Sequence, residues 1–351
     1  MSSRFLYRIS IAIVCASLIL LIWFLFSSSH RSVSTEENND VEIHTDIKKS
    51  SCEYRRRLDG VCVEHEEDVE NNVIAIMVEN HFEARPQSGL SNAHIVYEAP
   101  VEGNISRFLL IFLYDDDVSE VGPVRSARPY YLDWVHEYGD ALYMHVGGSP
   151  TALTRIKQEN VYDFNEFYNG NYYWRGKQRY APHNVYTSSD LWREGLTTRY
   201  KKDDMKMLGD RWQFESWKMC EDTCIEHIFI NFDPPTYSAE WRFNEEKHNY
   251  IRYQSGALHS DKDGSVIVAD TIIVQETQTK VIDNEGRLSM DTIGRGPVHV
   301  FAQGHEIDCY WKKDSVQDVT KFFREDGTEI ALHPGKIWIE VLGTPHTFEV
   351  N

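Results

Sequence analysis

Two arginines three residues apart mark the stretch of the sequence with the clearest potential for chemistry. Arg125 and Arg128 lie within residues 122–131, G-P-V-R-S-A-R-P-Y-Y, at the head of a predicted helix. A short apolar strand then leads into H-V-G-G-S (residues 145–149), which is followed by Pro150. A serine N-cap before a proline is typical of a helix start, where free N–H groups receive anions. Because guanidinium groups bind carboxylate or phosphate at two points, this stretch predicts an anion-binding corner.

Arg85 and Arg107 occupy two further segments at turns or strand ends. We predict that all four guanidinium groups converge on one cleft and bind an anionic or polar ligand. The alternative is structural, with each arginine joined to a carboxylate so that loops are locked together. The carboxylates available for that role are Glu79, Glu83, Glu98 and Asp133. The complete set of predicted ligand-binding residues is Arg85, Arg107, Arg125, Arg128, Gly147, Gly148, Ser149 and Asn184.

Acid–base catalysis is a second hypothesis for the same region. His81, His145 and His183 lie at strand ends or in turns, and Glu98 is a carboxylate that could work with them. The candidate catalytic residues are Glu98, His145 and His183. No H-x-x-x-H or H-E-x-x-H spacing is present, so neither a metal site nor a cofactor is predicted. Ser149 lacks the G-x-S-x-G frame of a nucleophile, which favours its capping role.

Composition limits the classes of function. The 351 residues are 41% hydrophobic and 13% aromatic, which is enough for a large core. The formal net charge of −19 argues against nucleic acid as a partner, because phosphate binding needs a basic surface.

The N-terminus predicts a membrane anchor. Residues 9–26 are apolar or small and uncharged, near the minimum length of a spanning helix. Arg4 and Arg8 precede them and acidic residues follow. The positive-inside rule therefore places residues 1–8 in the cytoplasm and the body of the protein, which is the chain after the anchor, outside. Residues 27–51 are polar and acidic and are predicted to be a stalk. A cleaved signal peptide is the alternative to this single-pass topology.

Five cysteines follow the anchor. Cys52 and Cys62 bracket an Asp-Gly turn and predict a disulfide-closed clip over residues 52–72, while Cys220 and Cys224 predict a second short disulfide loop. Zinc is the competing explanation, but the spacing does not match paired C-x-x-C motifs. Cys309 alternates with apolar residues and is predicted to be a buried strand thiol.

The pattern of the remaining chain predicts a mixed α/β (α+β) fold. Residues 73–200 combine apolar strands with amphipathic helices and form the first predicted domain. Residues 201–224 are a predicted connection, and residues 225–351 form a β-rich second domain. Residues 105–114 are almost continuously apolar, which predicts a central strand.

Several spaced motifs resemble the YerB-like family of bacterial envelope proteins, a domain of unknown function (3048) with N- and C-terminal parts. The motifs are N-H-F-E-A-R-P-Q-S-G-L (residues 80–90), G-P-V-R-S-A-R-P-Y-Y (122–131), H-V-G-G-S-P (145–150), A-P-H-N-V-Y (181–186), Y-I-R-Y-Q-S-G-A-L-H-S-D (250–261) and P-G-K-I-W-I-E-V (334–341). The resemblance covers about residues 73–350 and implies tethering outside the cytoplasmic membrane. Family members are often lipoproteins, whereas Val14 before Cys15 does not fit a lipidation site. The resemblance brings no settled activity.

The sequence therefore predicts a membrane-anchored extracytoplasmic protein that binds an anionic or polar ligand, such as a cell-wall fragment. Two alternatives stay open. One is an envelope hydrolase or transferase that uses a Glu/His pair, and the other is a scaffold for envelope proteins. Whether any reaction is catalysed is not determined by the sequence.

Overall fold

The computed structural model describes residues 52–200, 205–206, 209 and 211–351. The strands are β1 (Tyr54–Arg55), β2 (Cys62–Val63), β3 (Val73–Glu79), β4 (Ile95–Pro100), β5 (Ser106–Leu113), β6 (Leu142–His145), β7 (Tyr162–Asn165), β8 (Trp174–Arg175), β9 (Val185–Tyr186), β10 (His227–Asn231), β11 (Ala239–Asn244), β12 (Asn249–Gln254), β13 (Ala257–Leu258), β14 (Val268–Ala269), β15 (Thr271–Thr277), β16 (Thr279–Val281), β17 (Leu288–Met290), β18 (Gly294–Ala302), β19 (His305–Lys313), β20 (Lys321–Phe323), β21 (Ile337–Gly343) and β22 (Thr347–Val350). The helices are α1 (Pro129–Val135), α2 (Pro150–Gln158), α3 (Glu166–Asn169) and α4 (Ser189–Arg199).

A ten-stranded mixed sheet forms the centre of the fold. Its spatial order is β20-β19-β18-β15-β21-β4-β5-β3-β6-β7. Every residue of β3, β4, β5 and β21 is buried, which explains their nearly continuous apolar sequences. The prediction of a central strand at residues 105–114 is confirmed, since β5 lies between β4 and β3.

Strands from both halves of the chain pair within this sheet. β21 lies parallel to β4, with Glu340 opposite Glu98. β15 continues the sheet on the other side of β21. The predicted first and second domains thus contribute to one layer of backbone hydrogen bonds.

Each face of the sheet is covered by a different layer. On one face, α1 and α2 pack against residues such as Tyr97 and Ile339, and the rings of Tyr97 and Trp134 stack 5.1 Å apart. On the other face, α4 and a six-stranded sheet pack against residues such as Phe108 and Trp338. The order of the second sheet is β13-β12-β11-β10-β22, with β14 also paired to β12. Alternate side chains of each central strand therefore enter two separate apolar cores.

Most predicted elements are present, and the mixed α/β class with a β-rich second half is confirmed. The aromatic positions of the predicted helix, including Tyr131 and Trp134, are buried in the core. The sequence analysis missed β11, although the alternation of Ala239-Glu-Trp-Arg-Phe-Asn244 with buried Ala239 and Trp241 is a strand signal. The short strands β16, β17, β20 and β22 were also missed.

The cysteine predictions agree with the structure. Cys52–Cys62 and Cys220–Cys224 are disulfides, and the first closes the β1–β2 hairpin. Cys309 is a buried free thiol in β19, and burial raises its pKa to about 12.

The predicted anchor at residues 9–26 and stalk at residues 27–51 lie outside the described residues. Among the residues that the structure describes, no helix has the length and apolar character needed to span a membrane.

A buried ionic group joins the two sheets. Arg252 of β12 donates from its Nη2 to Oε2 of Glu98 at 2.5 Å, and both side chains are fully buried. Glu340, paired opposite Glu98, accepts a 2.8 Å bond from Trp241 Nε1 on β11. The guanidinium also donates to Nδ1 of His259 at 2.6 Å. The two sheets are thus joined by an ion pair that has no solvent around it.

One arginine cannot neutralise two buried carboxylates. Burial, together with the nearby charge of Glu98, raises the pKa of Glu340 well above its ordinary value. The shift favours the protonated form of Glu340 in the folded protein. Burial and the charge of Arg252 lower the pKa of His259 well below its ordinary value, so this ring is neutral and accepts the arginine's hydrogen bond.

We expect Arg252→Met to lower the free energy of unfolding by about 3–5 kcal/mol, because it leaves the Glu98 carboxylate buried without a cation. Arg242→Met on the neighbouring strand is the matched control. Arg242 also bonds a glutamate, Glu240, but its side chain is 42% exposed, so the loss should be at most about 1 kcal/mol. Urea unfolding followed by tryptophan fluorescence measures both variants. Equal losses would contradict the larger contribution to stability expected of the buried pair.

We expect Glu340→Gln to gain stability relative to the unmodified protein as the pH rises. The unfolded carboxyl loses its proton above its ordinary pKa of 4.5, whereas the folded state must keep it. The contribution of Glu340 to stability is therefore full below that value and is lost as the pH climbs toward the raised folded pKa. The difference should grow by at most about 1.4 kcal/mol per pH unit. Urea unfolding at several pH values measures it, and a difference independent of pH would contradict the assignment.

Candidate functional site

The candidate site lies at one edge of the ten-stranded sheet. Strands β3, β4, β6, β7 and β21 run in the same direction, so their carboxyl ends meet there. β5 runs the opposite way and begins at this edge, which places Arg107 directly opposite Glu79. In sheets of this kind, ligands bind beyond the carboxyl ends of the strands.

The segment containing Arg125 crosses this edge between β3 and the turn after β6. The N–H of Arg125 donates to the carbonyl of Met77 at 2.8 Å, and its carbonyl accepts from Val146 at 3.0 Å. Two residues later, Ala127 donates to the carbonyl of Gly147 at 3.0 Å. Backbone hydrogen bonds on both sides thus fix Arg125 in position.

Three of the four predicted arginines lie together and form what we call the arginine row, Arg107, Arg125 and Arg128. Arg125 donates from Nε to Glu79 at 3.0 Å. Arg128 makes a two-point pair with Glu102, with both distances 2.6 Å. Arg107 donates from Nη1 to the carbonyl of Ser126 at 2.8 Å.

Arg107 is the member of the row that is buried without an ion-pair partner among the described residues. It is 4% exposed, and no carboxylate in the described part of the chain forms an ion pair with it. Its buried Nε–H has no protein acceptor. Burial, and then the positive charges of Arg128 and Arg125, lower its pKa to about 10, against the opposing effect of the nearby Glu79 carboxylate. Arg107 remains a cation at neutral pH, held close to two others.

Three side chains next to the row form a second group, the histidine corner, made of His81, Glu83 and His183. His183 Nδ1 lies 2.7 Å from Oε2 of Glu79, whose Oε1 binds Arg125. The other ring nitrogen of His183, Nε2, lies 3.3 Å from Oε2 of Glu83. The rings of His81 and His183 stack with centroids 4.9 Å apart. Glu79 therefore links the arginine row to the histidine corner.

Arg85 lies apart from the row. Its Nε donates to Oδ1 of Asn80 at 3.0 Å and its Nη1 to the carbonyl of Thr236 at 2.9 Å. Burial, followed by the charge of Arg252, lowers its pKa to about 10. Arg85 thus connects the loop after β3 to the turn before β11, close to the buried ionic group.

The structure gives the three candidate catalytic residues separate surroundings. Glu98 is fully buried and bonds Arg252, with Ser106 and Asn80 donating to its other oxygen. His145 is also fully buried; its Nδ1–H donates to the carbonyl of Gly147 at 2.7 Å, and its Nε2 lies 2.9 Å from Asp163. His183 belongs to the histidine corner. No hydrogen bond joins Glu98 to His145 or His183 in the part of the chain described.

The remaining predicted binding residues are engaged by the protein itself. Ser149 caps α2 by accepting from the N–H of Ala152 at 3.3 Å, as the sequence indicated. The N–H groups of Gly147 and Ser149 donate to Asn165 and Ala127 respectively. A Cβ on Gly147 would come within 2.9 Å of the ring of Phe167, and its φ of +60° also favours glycine.

Gly148 and Asn184 also have structural roles in the loops at this edge. Gly148 packs against Ala127, where a Cβ would meet the alanine methyl group at 3.2 Å. Asn184 accepts from Arg175 at 3.2 Å and donates to the carbonyls of Gly176 and Arg179. Asn184 thereby holds together the loop that carries His183.

Exposed aromatic side chains surround the edge. The ring of Phe82 is tilted against that of His81 with the centroids 4.2 Å apart, and Phe167 lies against Gly147. Tyr180 is 91% exposed and its carbonyl accepts from the N–H of His183. The exposed members of this aromatic rim are Phe82, Phe167, Tyr168 and Tyr180.

Two carboxylates make contacts in the candidate site that the sequence analysis did not predict. Glu79 was considered only as a partner for an arginine, but it joins Arg125 to His183. Glu102 was missed, because an acidic residue in a Glu-Gly-Asn turn gives no signal beyond surface polarity. Asp133, another suggested partner, instead pairs with Arg155 at 2.6 Å.

Comparison with known proteins gives matches over most of the chain. Residues 58–205 match the family model described as "Protein of unknown function (DUF3048) N-terminal domain", and residues 228–339 match the corresponding C-terminal domain. A Bacillus subtilis (strain 168) protein described as "Putative lipoprotein YerB" is 30% identical over 275 residues, or 78% of this chain and 82% of that protein. The crystal structure of the YerB protein from Bacillus subtilis matches with a TM-score of 0.74 at 28% identity, over 84% of this chain and 99% of that one.

The fold is mixed α/β, and the arginine row lies at the edge of the ten-stranded sheet where the carboxyl ends of the parallel strands meet. The chain belongs to the YerB-like DUF3048 family, in both its N- and C-terminal parts. The resemblance found in the sequence motifs is thereby confirmed.

Proposed function

We propose that this protein is a membrane-anchored extracytoplasmic protein that binds an anionic ligand of the cell envelope at the arginine row. The observation that carries the proposal is the surplus of positive charge there. Arg125 and Arg128 are paired with Glu79 and Glu102, whereas Arg107 has no carboxylate partner among the described residues. A buried cation beside two others, in a chain of net charge −19, is stabilised when an anion binds.

The geometry of the row favours a carboxylate or phosphate group. Arg125 uses its Nε toward Glu79 and is 24% exposed, so the rest of its guanidinium can face a ligand. The buried Nε–H of Arg107 adds a donor that lacks a protein acceptor, a state that costs about 1–3 kcal/mol when it stays unpaired.

The aromatic rim favours a ligand with flat apolar faces beside its charges. Phe82, Phe167 and Tyr180 expose most of their side chains next to the histidine corner and the row. Aromatic side chains at a binding surface present large rigid contact areas with little loss of conformational entropy. A cell-wall fragment, with sugar rings and carboxylates, combines both properties.

Anchoring outside the membrane is supported by the N-terminal sequence and by the cysteines. Residues 9–26 are uncharged and follow Arg4 and Arg8. The two disulfides belong to an oxidising compartment. The Bacillus subtilis relative is described as a "Putative lipoprotein", which supports a membrane-attached location for this chain.

We expect the full chain, produced in a bacterial host with one membrane, to stay in the membrane fraction with residues 1–26 still attached. Protease added to protoplasts should digest the body, because the positive-inside rule places it outside. Mass spectrometry of the membrane-bound chain identifies its N-terminus. A body that resists protease, or a chain released after cleavage near residue 26, would contradict the proposed topology.

We expect Arg125→Gln to weaken binding of muramidase-released peptidoglycan fragments at least about tenfold, because it removes a charged hydrogen-bond donor. Microscale thermophoresis of the purified full chain measures the affinity. Binding by the unmodified protein should also weaken with added salt, since the row is partly exposed.

Arg242→Gln is the matched control, because Arg242 also pairs with a glutamate but lies on the six-stranded sheet. It should bind as the unmodified protein does. Equal binding by the Arg125 variant, or no binding of any fragment by the unmodified protein, would contradict the proposal.

A further inference from the structure

The histidine corner brings two imidazoles and one carboxylate together from separate loops. His81 and Glu83 flank Phe82 in the turn after β3, and His183 lies in the turn before β9. Each offers one donor atom, and the three atoms lie within 4.8 Å of one another. We propose that these residues bind a divalent transition-metal ion of the zinc class. This inference does not depend on the proposed function.

Two of the three donor–donor distances are close to those around a tetrahedral ion. Nε2 of His183 is 3.3 Å from Oε2 of Glu83, and Nδ1 of His81 is 3.7 Å from the same oxygen. Nδ1 of His81 accepts the backbone N–H of Glu83 at 3.3 Å, and an ion bound at this nitrogen would replace that hydrogen bond. With metal–ligand distances of about 2.0–2.1 Å, neighbouring ligands around a tetrahedral zinc ion lie about 3.3–3.4 Å apart. The two distances that end at Glu83 are thus near the required value. The third distance, between the donor nitrogens of His81 and His183, is at most 4.8 Å, and a movement of one imidazole ring has to shorten it when an ion binds.

The orientation of His183 is the strongest support. Its Nδ1 lies 2.7 Å from Oε2 of Glu79, a carboxylate that is 3% exposed and is held from its other oxygen by Arg125. This contact directs the opposite nitrogen, Nε2, toward Glu83. A histidine ligand of a metal ion usually donates its second ring N–H to a carboxylate in this way.

The donor types select the class of ion. Two imidazole nitrogens and one carboxylate suit zinc and its neighbours, whereas calcium and magnesium prefer all-oxygen sites. Three protein ligands leave a fourth position for water or for an anion. Because Glu79 contacts both His183 and Arg125, the histidine corner lies next to the arginine row.

This inference departs from the expectation, drawn from sequence, that no metal site exists. His81 and Glu83 are two residues apart and His183 lies in a distant turn, so the set has none of the spacings by which a metal motif is recognised. Only the approach of the two loops at the sheet edge brings the donors together.

The test is metal binding by the purified full chain after treatment with EDTA. Competition with a chromogenic chelator gives the zinc affinity and stoichiometry, and cobalt substitution reports the ligand geometry by visible absorption. We expect one ion per chain and a tetrahedral cobalt spectrum. Glu83→Gln, a change at an exposed side chain, should weaken zinc binding at least tenfold. Glu79→Gln should weaken it by about 10–100-fold, through the orientation of His183.

His299→Asn is the matched control, because His299 also contacts a glutamate, Glu306, at 2.8 Å but lies in β18. It should leave zinc affinity and the cobalt spectrum unchanged. Circular dichroism checks that each variant is folded. Less than one zinc ion per chain, or unchanged affinity in folded Glu83→Gln, would overturn the proposal.

Discussion

The structure depends on an ion pair buried between two sheets. Arg252 on the six-stranded sheet reaches Glu98 on the ten-stranded sheet, and neither side chain has contact with solvent. Separating such a pair has a large free-energy cost, because each partner left alone would be a buried, uncompensated charge. It ties together segments that are far apart in the chain. Glu340 lies opposite Glu98, and burial with the charge of Glu98 raises the pKa of Glu340, which favours its neutral form.

The same interaction sets the position of the candidate site. Glu98 lies in β4, and Asn80, at the end of β3, donates to its Oε1 at 3.1 Å. Asn80 also accepts from Arg85 through its side-chain oxygen and so anchors the loop that carries His81 and Glu83. The interior polar group and the edge are therefore neighbours in one hydrogen-bonded frame.

Arginines of similar sequence context have different roles at this edge. Arg128 is neutralised by Glu102 at two points, Arg85 bonds backbone and amide oxygens, and Arg107 has no carboxylate. The sequence predicted the arginines as one set, because their types and turn-rich surroundings are alike. The partner of each depends on which strands lie side by side, which is a property of the sheet order.

The sequence by itself determined the elements that depend on local pattern. The apolar runs of β3 and β5, the N-cap Ser149, the aromatic face of α1 and both disulfides follow from side-chain chemistry within short segments. Only the tertiary structure decided which distant residues meet. The pairing of β21 with β4 brings Glu340 beside Glu98, and the meeting of two loops brings His183 to Glu79 and Glu83. The physical reason is that short-range preference acts between neighbours in the chain, whereas these contacts arise from burial of two cores on opposite faces of one sheet.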